Sequence, residues 1–137
     1  MKIPPGGEHC ILELSECPTA KLTDEDLVCR SVRDATEKCG ATLLNMASHR
    51  FDPPGVSVVA LLAESHISVH TWPEEGYVAV DVFTCGSNAD PQVACEHIAE
   101  ALEAEKWWIK PIARRPGGDP DLIFRTREPR TPDRQLE

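Results

Sequence analysis

Polar side chains able to do chemistry are concentrated between residues 49 and 85. The segment from His66 to Trp72 alternates polar and apolar residues, which in a β-strand places His66, Ser68 and His70 on one face. Histidine titrates near neutral pH and suits general base catalysis, a serine hydroxyl can act as a nucleophile, and a thiol can donate a proton. The segment therefore predicts nucleophilic and acid–base chemistry along one strand face. The candidates are His49, Ser57, Glu64, Ser65, His66, Ser68, His70, Glu74, Glu75 and Cys85.

The surrounding hydrophobic patterns predict the elements that position these side chains. Alternating or continuous apolar segments predict strands, and segments with helical spacing predict helices. The resulting order, β-α-β-β followed by β-β-α-β, is typical of an α+β two-layer fold in which helices cover one face of a mostly antiparallel sheet. The other sheet face then needs a cover, which a second copy of the chain could provide. The predicted strands span 8–15, 41–47, 56–62, 66–72, 77–84 and 106–113, and the predicted helices span 24–39 and 91–105.

Local signals mark the ends of the predicted helices and one turn. Thr23 or Asp24 provides an N-cap for the first helix, and Gly40 provides a stop. Asp90 followed by Pro91 is a start signal for the second helix, because proline is favoured at the first helical position. The run at 53–55, Pro-Pro-Gly, predicts a turn between the second and third strands.

Length and charge limit the classes of function. A chain of 137 residues allows one domain, which we predict over residues 1–115. The formal net charge of −9 argues against a nucleic-acid-binding protein or a binder of anionic membranes, and fits a cationic ligand better. Residues 1–110 carry a net charge of −10, whereas residues 111–137 carry +1. Because the composition turns to Arg, Pro and polar residues near Pro116, we expect 116–137 to be a flexible tail.

The cysteine pattern and the hydropathy predict a cytoplasmic protein without a metal. The chain has six cysteines but no C-x-x-C pair, and the run at 95–97, Cys-Glu-His, has no evident partner ligands. No apolar run approaches the roughly 20 residues that span a bilayer, and the N-terminal residues lack the apolar core of a signal peptide. We therefore expect a cytoplasmic location, where thiols stay reduced.

Several segments resemble one enzyme family, the prokaryotic S-adenosylmethionine decarboxylase proenzymes. They are E-S-H-I-S-V-H-T-W-P-E at 64–74, D-V-F-T-C-G at 81–86, H-R-F at 49–51 and G-V-S at 55–57. The resemblance runs from about His9 to Lys106. It implies the two-layer α+β fold of that family, with the sheets of two protomers packed together in a dimer.

The resemblance also implies self-cleavage between Glu64 and Ser65. The Ser65 hydroxyl would attack the preceding carbonyl and convert an amide to an ester, and elimination would leave a dehydroalanine that hydrolyses to a pyruvoyl group and ammonia. His70 matches the base that removes the α-proton, and imidazole is suited to that task. Ser57 matches a serine that helps to stabilise the oxyester. The products would be residues 1–64 and 65–137, which stay folded together.

The resemblance implies a covalently bound pyruvoyl cofactor, generated from Ser65, and a decarboxylation. The substrate amine would form a Schiff base with the pyruvoyl carbonyl, which accepts electrons as carbon dioxide leaves. Cys85 matches the proton donor that returns a proton to the substrate carbon. The product, decarboxylated S-adenosylmethionine, would supply spermidine and polyamine biosynthesis.

The resemblance assigns the substrate-binding residues as well. Phe51 matches an aromatic residue that stacks on adenine, and Glu74 matches a carboxylate that holds the ribose hydroxyls. A sulfonium cation near aromatic faces is physically sensible, and Trp72 could line the same pocket. The active sites would lie at the interface of a homodimer of cleaved protomers, so Phe51 and Ser65 could come from different protomers.

Two departures from the family pattern leave the substrate open. Glu75 stands where relatives carry an aromatic residue, and the run at 52–54, Asp-Pro-Pro, borders the adenine-stacking position. An added carboxylate could favour a longer basic amine, so a pyruvoyl-dependent arginine or ornithine decarboxylase of the same family is an alternative. A second alternative is an unprocessed regulatory homologue. Such a protein would be expected to lose Ser65, His70 or Cys85, and all three are present.

Overall fold

The strands and helices follow one another along the chain largely in the order that the hydropathy patterns predict. The structure is a computed structural model that describes residues 5–85, 88–123 and 125–127. The elements, in chain order, are β1 (Gly7–Ser15), α1 (Thr19–Leu22), α2 (Glu25–Lys38), β2 (Leu43–Phe51), β3 (Gly55–Leu62), β4 (Ser65–Trp72), a 3₁₀ turn (Pro73–Glu75), β5 (Tyr77–Thr84), α3 (Pro91–Ala101) and β6 (Lys106–Arg114).

The strands form a six-stranded antiparallel sheet with the order β2-β3-β4-β5-β1-β6. The strands from β2 to β5 follow one another as a meander, each paired with its neighbour in sequence. Strand β1 then lies between β5 and β6 and pairs antiparallel with both. The N-terminal strand is thus inserted into the C-terminal half of the sheet.

The helices form the second layer on one face of the sheet. Helix α2 contacts β2, β3 and β4, and α3 contacts β1 and β5. Asp24 caps α2 by accepting a hydrogen bond from the Leu27 N–H at 3.0 Å, and Asp90 caps α3 in the same way through Gln92. Burial of apolar side chains between the two layers stabilises the fold. The largest fully buried side chains are Leu12, Leu14, Leu22, Val28, Val32, Val56, Val58, Ile67, Val69, Val78, Ile98 and Leu102.

The sheet surface opposite the helices, which we call the open face, is covered by no other element of the described chain. Strand alternation places the helix-facing residues of β4, such as Ile67 and Val69, in the core and their neighbours on the open face. The open face is mixed in character, with polar, aromatic and aliphatic side chains. It carries His9, Ser57, Val59, Leu61, His66, Ser68, His70, Trp72, Tyr77, Asp81, Phe83 and Trp108.

The structure confirms the predicted α+β class and corrects some boundaries. Strand β2 continues to Phe51 instead of ending at residue 47, because its last residues pair with the start of β3 from Gly55 onward. Helix α3 ends at Ala101 instead of residue 105, since Glu103 adopts a left-handed conformation with φ of 52° that turns the chain toward β6. The four-residue helix α1 was not predicted, because it is too short to show a helical period.

The C-terminal segment has no regular helix or strand within residues 116–123 and 125–127. The Asp119 carboxylate accepts a hydrogen bond from the Ala113 N–H at 3.2 Å, which holds the start of the segment beside β6. The rest of the predicted tail, residue 124 and residues 128–137, lies outside the described residues. In the part of the chain that the structure describes, no helix is both long and apolar enough to cross a membrane.

Candidate active site

The predicted cleavage point lies in the tight turn between β3 and β4. Leu62 pairs with Ser65 across the two strands, which leaves Ala63 and Glu64 as the turn residues. Ser65 has a φ of 146°, a conformation that residues other than glycine rarely adopt. Such a backbone costs on the order of 1–3 kcal/mol and persists only where the surrounding structure imposes it. The strain therefore falls on Ser65, whose peptide bond to Glu64 is predicted to break.

Hydrogen bonds from two other parts of the chain hold Glu64 in this turn. The Cys85 backbone N–H, at the end of β5, donates to the Glu64 carbonyl oxygen at 2.8 Å. The Thr42 N–H, just before β2, donates to the two oxygens of the Glu64 carboxylate at 2.9 and 3.1 Å. A donor on the carbonyl oxygen polarises the carbonyl and stabilises an oxyanion that forms there. The carbonyl of the predicted scissile bond thus carries one backbone hydrogen-bond donor.

Ser57 and His70 form a second constellation, on the open face at the other end of the same strands. The two residues are directly opposite in the β3–β4 pair, and the Ser57 Oγ lies 2.7 Å from the His70 Nδ1. A bond to Nδ1 fixes the orientation of the ring, so that Nε2 is the nitrogen left to exchange a proton with a reactant. A hydrogen bond therefore joins the predicted base and the predicted oxyester-stabilising serine.

A cavity of about 670 Å³ adjoins this serine–histidine pair. Its walls are mainly apolar and aromatic, and Glu74 is the acidic side chain among the lining residues. Phe51 and Trp72 are exposed at 49% and 42%, so part of each ring is accessible to a ligand. A concave site with aromatic walls and a few polar groups is typical of small-molecule binding. The lining residues are Thr19, Phe51, Pro53, Pro54, Gly55, Ser57, His70, Thr71, Trp72, Pro73 and Glu74.

Within one protomer the predicted site residues fall into two groups. We call Glu64, Ser65 and Cys85 the cleavage end, and Phe51, Ser57, His70 and Glu74 the pocket end. Ser65 and His70 are five residues apart on β4, which at about 3.3 Å per residue puts their Cα atoms roughly 16 Å apart. A base must come within about 3 Å of the proton it removes. The described protomer therefore does not bring His70 to Ser65.

A comparison with known proteins identifies the family. A family model described as S-adenosylmethionine decarboxylase matches residues 8–115. The chain belongs to the S-adenosylmethionine decarboxylase family. This confirms the resemblance seen in the sequence segments at 49–51, 55–57, 64–74 and 81–86. Gly86, in the last of these segments, lies outside the described residues.

Relatives within the S-adenosylmethionine decarboxylase family cover most of the chain. The S-adenosylmethionine decarboxylase proenzyme of Synechococcus sp. (strain WH7803) is 56% identical over 108 residues, which are 79% of this chain and 84% of that protein. The proenzyme of Methanococcus aeolicus is 47% identical over 108 residues, 79% of this chain and 92% of that protein. The crystal structure of the adenosylmethionine decarboxylase from Aquifex aeolicus VF5 superposes with a TM-score of 0.76 at 27% identity, covering 93% of this chain and 99% of that one.

The structure also locates the two departures from the family pattern. Glu75 lies in the 3₁₀ turn and is exposed, but it is not among the residues that line the cavity. Pro53 and Pro54 do line it, next to Phe51, and add apolar surface. The feature that suggested a basic amine substrate thus lies outside the pocket wall, and the run at 52–54 makes that wall more apolar.

A polar cluster on the open face was missed by the sequence analysis. His9 Nε2 lies 3.0 Å from the Asp81 carboxylate, and its Nδ1 lies 3.1 Å from an Arg114 nitrogen. The Arg114 guanidinium also stacks over Phe83 at 4.9 Å from the ring centroid. These residues are far apart in sequence and meet only because β1 lies between β5 and β6. The alternation of β1 was the available signal, although it does not identify the partners.

Tyr77 and Glu13 form another polar contact on the open face. The Tyr77 hydroxyl donates to the Glu13 carboxylate, and that bond, with a smaller contribution from burial, raises the pKa of Tyr77 to about 12. Tyr77 therefore stays protonated at neutral pH and acts as a donor. Among the residues that the structure describes, no three His, Cys, Asp or Glu side chains are grouped so that they could hold a metal ion.

The cysteines differ in their surroundings. Cys10, Cys17, Cys39 and Cys95 are buried, whereas Cys29 on α2 and Cys85 at the cleavage end are half-buried. Burial raises the pKa of Cys17 to about 11, so that thiol stays protonated. Cys85 combines a partly accessible thiol with a backbone N–H on the Glu64 carbonyl.

Proposed function

We propose that this chain is the proenzyme of a pyruvoyl-dependent S-adenosylmethionine decarboxylase that cleaves itself between Glu64 and Ser65. The single observation that carries the proposal is the hydrogen bond from the Cys85 N–H to the Glu64 carbonyl, next to the strained Ser65. Membership of the family, whose relatives are named as proenzymes, supports it. The products would be residues 1–64 and 65–137.

The residues of the turn fit the formation of a pyruvoyl group at position 65. Attack of the Ser65 hydroxyl on the Glu64 carbonyl replaces the peptide bond by an ester and frees the Ser65 nitrogen. The peptide constraint that imposes a φ of 146° is then removed, so part of the strain is released in this step. The Cys85 N–H stabilises the negative charge that develops on the Glu64 oxygen.

The second step needs a base for the α-proton of Ser65, and we assign it to His70. Ser57, at 2.7 Å, orients the ring. Loss of the α-proton breaks the bond from the Ser65 Cβ to the ester oxygen, releases the main-chain carboxylate of Glu64 as the new C-terminus, and leaves a dehydroalanine. Hydrolysis then gives the pyruvoyl group and ammonia. When formed, the pyruvoyl group supplies an electron sink for decarboxylation. We assign to Cys85 the return of a proton to the substrate α-carbon.

We propose that S-adenosylmethionine binds in the cavity at the pocket end. The faces of Phe51 and Trp72 suit a flat purine and a sulfonium cation, and the Glu74 carboxylate suits the two ribose hydroxyls. Pro53 and Pro54 extend the apolar wall, which suits an adenine ring better than the charged end of arginine or ornithine.

We further propose that the active enzyme is a homodimer in which the open faces of two copies pack together. Ser65 lies roughly 16 Å from His70 in one protomer, so the base must come from elsewhere. A two-fold axis near the centre of β4 would place Ser65 of each copy over His70 of the other. The open face suits burial, because Val59, Leu61 and Trp108 are exposed there at 49%, 54% and 59%. Each pocket would then be completed by the cleavage end of the partner.

The remaining parts of the proposal follow from the sequence. The acidic net charge of −9 suits a cationic substrate and disfavours nucleic acid and anionic membranes as partners. A cytoplasmic location agrees with a polyamine biosynthetic role and with cysteines that stay reduced.

Intact mass and carbon dioxide release test the proposal together. The purified protein should contain two fragments, the second starting with a pyruvoyl group at position 65. Carbon dioxide release should be fastest with S-adenosylmethionine when it is compared side by side with arginine and ornithine. A single uncut chain that resists hydroxylamine would overturn the self-cleavage, and preference for arginine or ornithine would overturn the substrate assignment.

A further inference from the structure

We propose that His66, the residue after the cleaved bond, is the base that takes the proton from the Ser65 hydroxyl in the first step of self-cleavage. This inference rests on the proposed self-cleavage and assigns a residue to a step that His70 does not serve. The Ser65 Oγ lies 3.4 Å from the His66 Nδ1. Among the described residues, His66 is the one whose side chain comes within hydrogen-bonding distance of this hydroxyl. The distance is at the long end of the range, as is common before a reaction begins.

The position of His66 follows from the strand and the turn together. Simple alternation would place Ser65 and His66 on opposite faces of the sheet. The positive φ of Ser65 breaks that alternation at the first residue of β4, so the hydroxyl turns toward the neighbouring imidazole. The same unusual backbone therefore strains the residue after the scissile bond and brings the base to its hydroxyl.

The surroundings of His66 keep its ring in place and keep it able to accept a proton. Its ring packs edge-on against Phe83, with centroids 5.8 Å apart, and against His9 at 6.4 Å. The charged and titratable groups that face it are His9 on β1, Asp81 on β5 and Arg114 on β6. Burial lowers the pKa of His66, positive charge on His9 and Arg114 acts in the same direction, and Asp81 opposes them. The imidazole is therefore neutral at neutral pH, with a lone pair free on one nitrogen.

The proposed step balances without any other reactant. The Ser65 O–H proton moves to His66 Nδ1 while the Ser65 oxygen forms a bond to the Glu64 carbonyl carbon. The carbonyl electron pair moves to the Glu64 oxygen, which accepts the Cys85 N–H bond at 2.8 Å. Collapse of this tetrahedral adduct breaks the bond from carbon to the Ser65 nitrogen, and that nitrogen takes the proton back from His66. The net result is an ester, a free amine and an unchanged imidazole.

This assignment divides the two proton transfers between two histidines. His66 would move a proton within one protomer, whereas His70 of the second copy would remove the α-proton afterwards. Formation of the ester should therefore not require the His70 imidazole. A variant without His70 should accumulate a chain that hydroxylamine can cut, and a variant without His66 should accumulate a chain that hydroxylamine cannot cut.

The experiment follows cleavage of the full chain after cell-free synthesis, with and without hydroxylamine, in wild type, His66→Asn, His70→Ala and His97→Asn. Asparagine keeps an acceptor near the position of Nδ1 but cannot take a proton, and His97 in the helix layer is the matched control. We expect ester formation to slow about 100-fold in His66→Asn, within the range for loss of a general base, and to keep the wild-type rate in His97→Asn. In His70→Ala the ester should form and accumulate, because the elimination that follows it is blocked.

Two further readouts separate a base from a packing role. The rate of ester formation in the wild type should fall as pH drops below the pKa of His66, because the protonated ring cannot accept, and His66→Asn should lose this dependence. Added imidazole should restore ester formation in His66→Ala. Wild-type rates of ester formation in His66→Asn would overturn the inference, as would a slow variant whose pH profile is unchanged. If the wild type itself stays uncut, the proposed function fails instead.

Discussion

Backbone groups hold the cleavage end of strand β4, whereas side chains form its pocket end. At the cleavage end, backbone N–H groups of Thr42 and Cys85 hold a strained turn in place. At the pocket end, a side-chain hydrogen bond joins Ser57 to His70 beside a cavity. Backbone donors fix a reacting carbonyl without rotamer freedom, whereas aromatic and carboxylate side chains suit a substrate that must enter and leave. Each end thus carries one half of the chemistry, and in the proposed dimer each pocket combines the two.

The largest expected effect is restoration of cleavage by mixing two inactive chains. Ser65→Ala cannot form the ester, and His70→Ala cannot complete the elimination. In a mixed dimer, Ser65 of the His70→Ala chain would face the intact His70 of the Ser65→Ala chain. Co-expressed, size-tagged variants should therefore yield a pyruvoyl-bearing 65–137 fragment from the His70→Ala chain alone, detected by intact mass.

The separately expressed variants are the control for this experiment. Each should lack the pyruvoyl-bearing fragment when expressed by itself. If the mixture also lacks it while the two chains are shown to co-purify, the two ends act within one protomer, and the proposed pairing of the open faces is wrong.

A large effect limited to decarboxylation is expected from Cys85→Ala. The backbone N–H that holds the Glu64 carbonyl is kept in this variant, so self-cleavage should proceed. Loss of the thiol that returns a proton to the substrate should lower kcat by about 10²–10⁴-fold. Fragment masses and carbon dioxide release measure the two steps separately. Cys29→Ala, which removes a half-buried thiol on α2, is the matched control. Full decarboxylase activity in Cys85→Ala would exclude the thiol as proton donor.

A smaller effect, limited to binding, is expected from Phe51→Ala at the pocket end. Stacking of a base on an aromatic side chain contributes about 1–3 kcal/mol, so the KM for S-adenosylmethionine should rise about tenfold or more. Cleavage at Glu64 should be unchanged, because the proposed self-cleavage assigns no step to Phe51. Phe51→Trp retains an aromatic face and should keep the KM near that of wild type. An unchanged KM in Phe51→Ala would place the adenine elsewhere.

The candidate site residues could be proposed from the sequence because they lie in short local segments. The resemblance of the segment at 64–74 to the family nominates Ser65, His70 and Glu74, and their roles stay predictions. The tight turn at Ala63 and Glu64 also sets the register that puts Ser57 opposite His70. Helix ends with clear caps, such as Asp24 and Asp90, were predicted for the same reason.

The remaining features depend on contacts between distant parts of the chain. Thr42 reaches Glu64 because the start of β2 pairs with the end of β3, where Leu43 lies opposite Leu62. His9 meets Asp81, 72 positions later, only because β1 is inserted beside β5. The φ of Ser65 is imposed by the turn and by its partners, and no residue propensity indicates it. The hydrophobic periodicity of a segment does not indicate which distant residues that segment will contact.

The insertion of β1 between β5 and β6 changes what happens once the chain is cut. The fragment 1–64 would contribute β1, β2 and β3, and the fragment 65–137 would contribute β4, β5 and β6, so three strand pairings would join separate polypeptides: β3–β4, β1–β5 and β1–β6. The cut would turn an intramolecular folding reaction into an association, in which the fragments lose the high effective concentration that their covalent link provided. The thermal midpoint of the mature protein would then depend on its concentration, even within a single protomer. The three strand pairings between the fragments would hold the mature enzyme together while it is folded, but after unfolding the fragments would have to find each other again to refold.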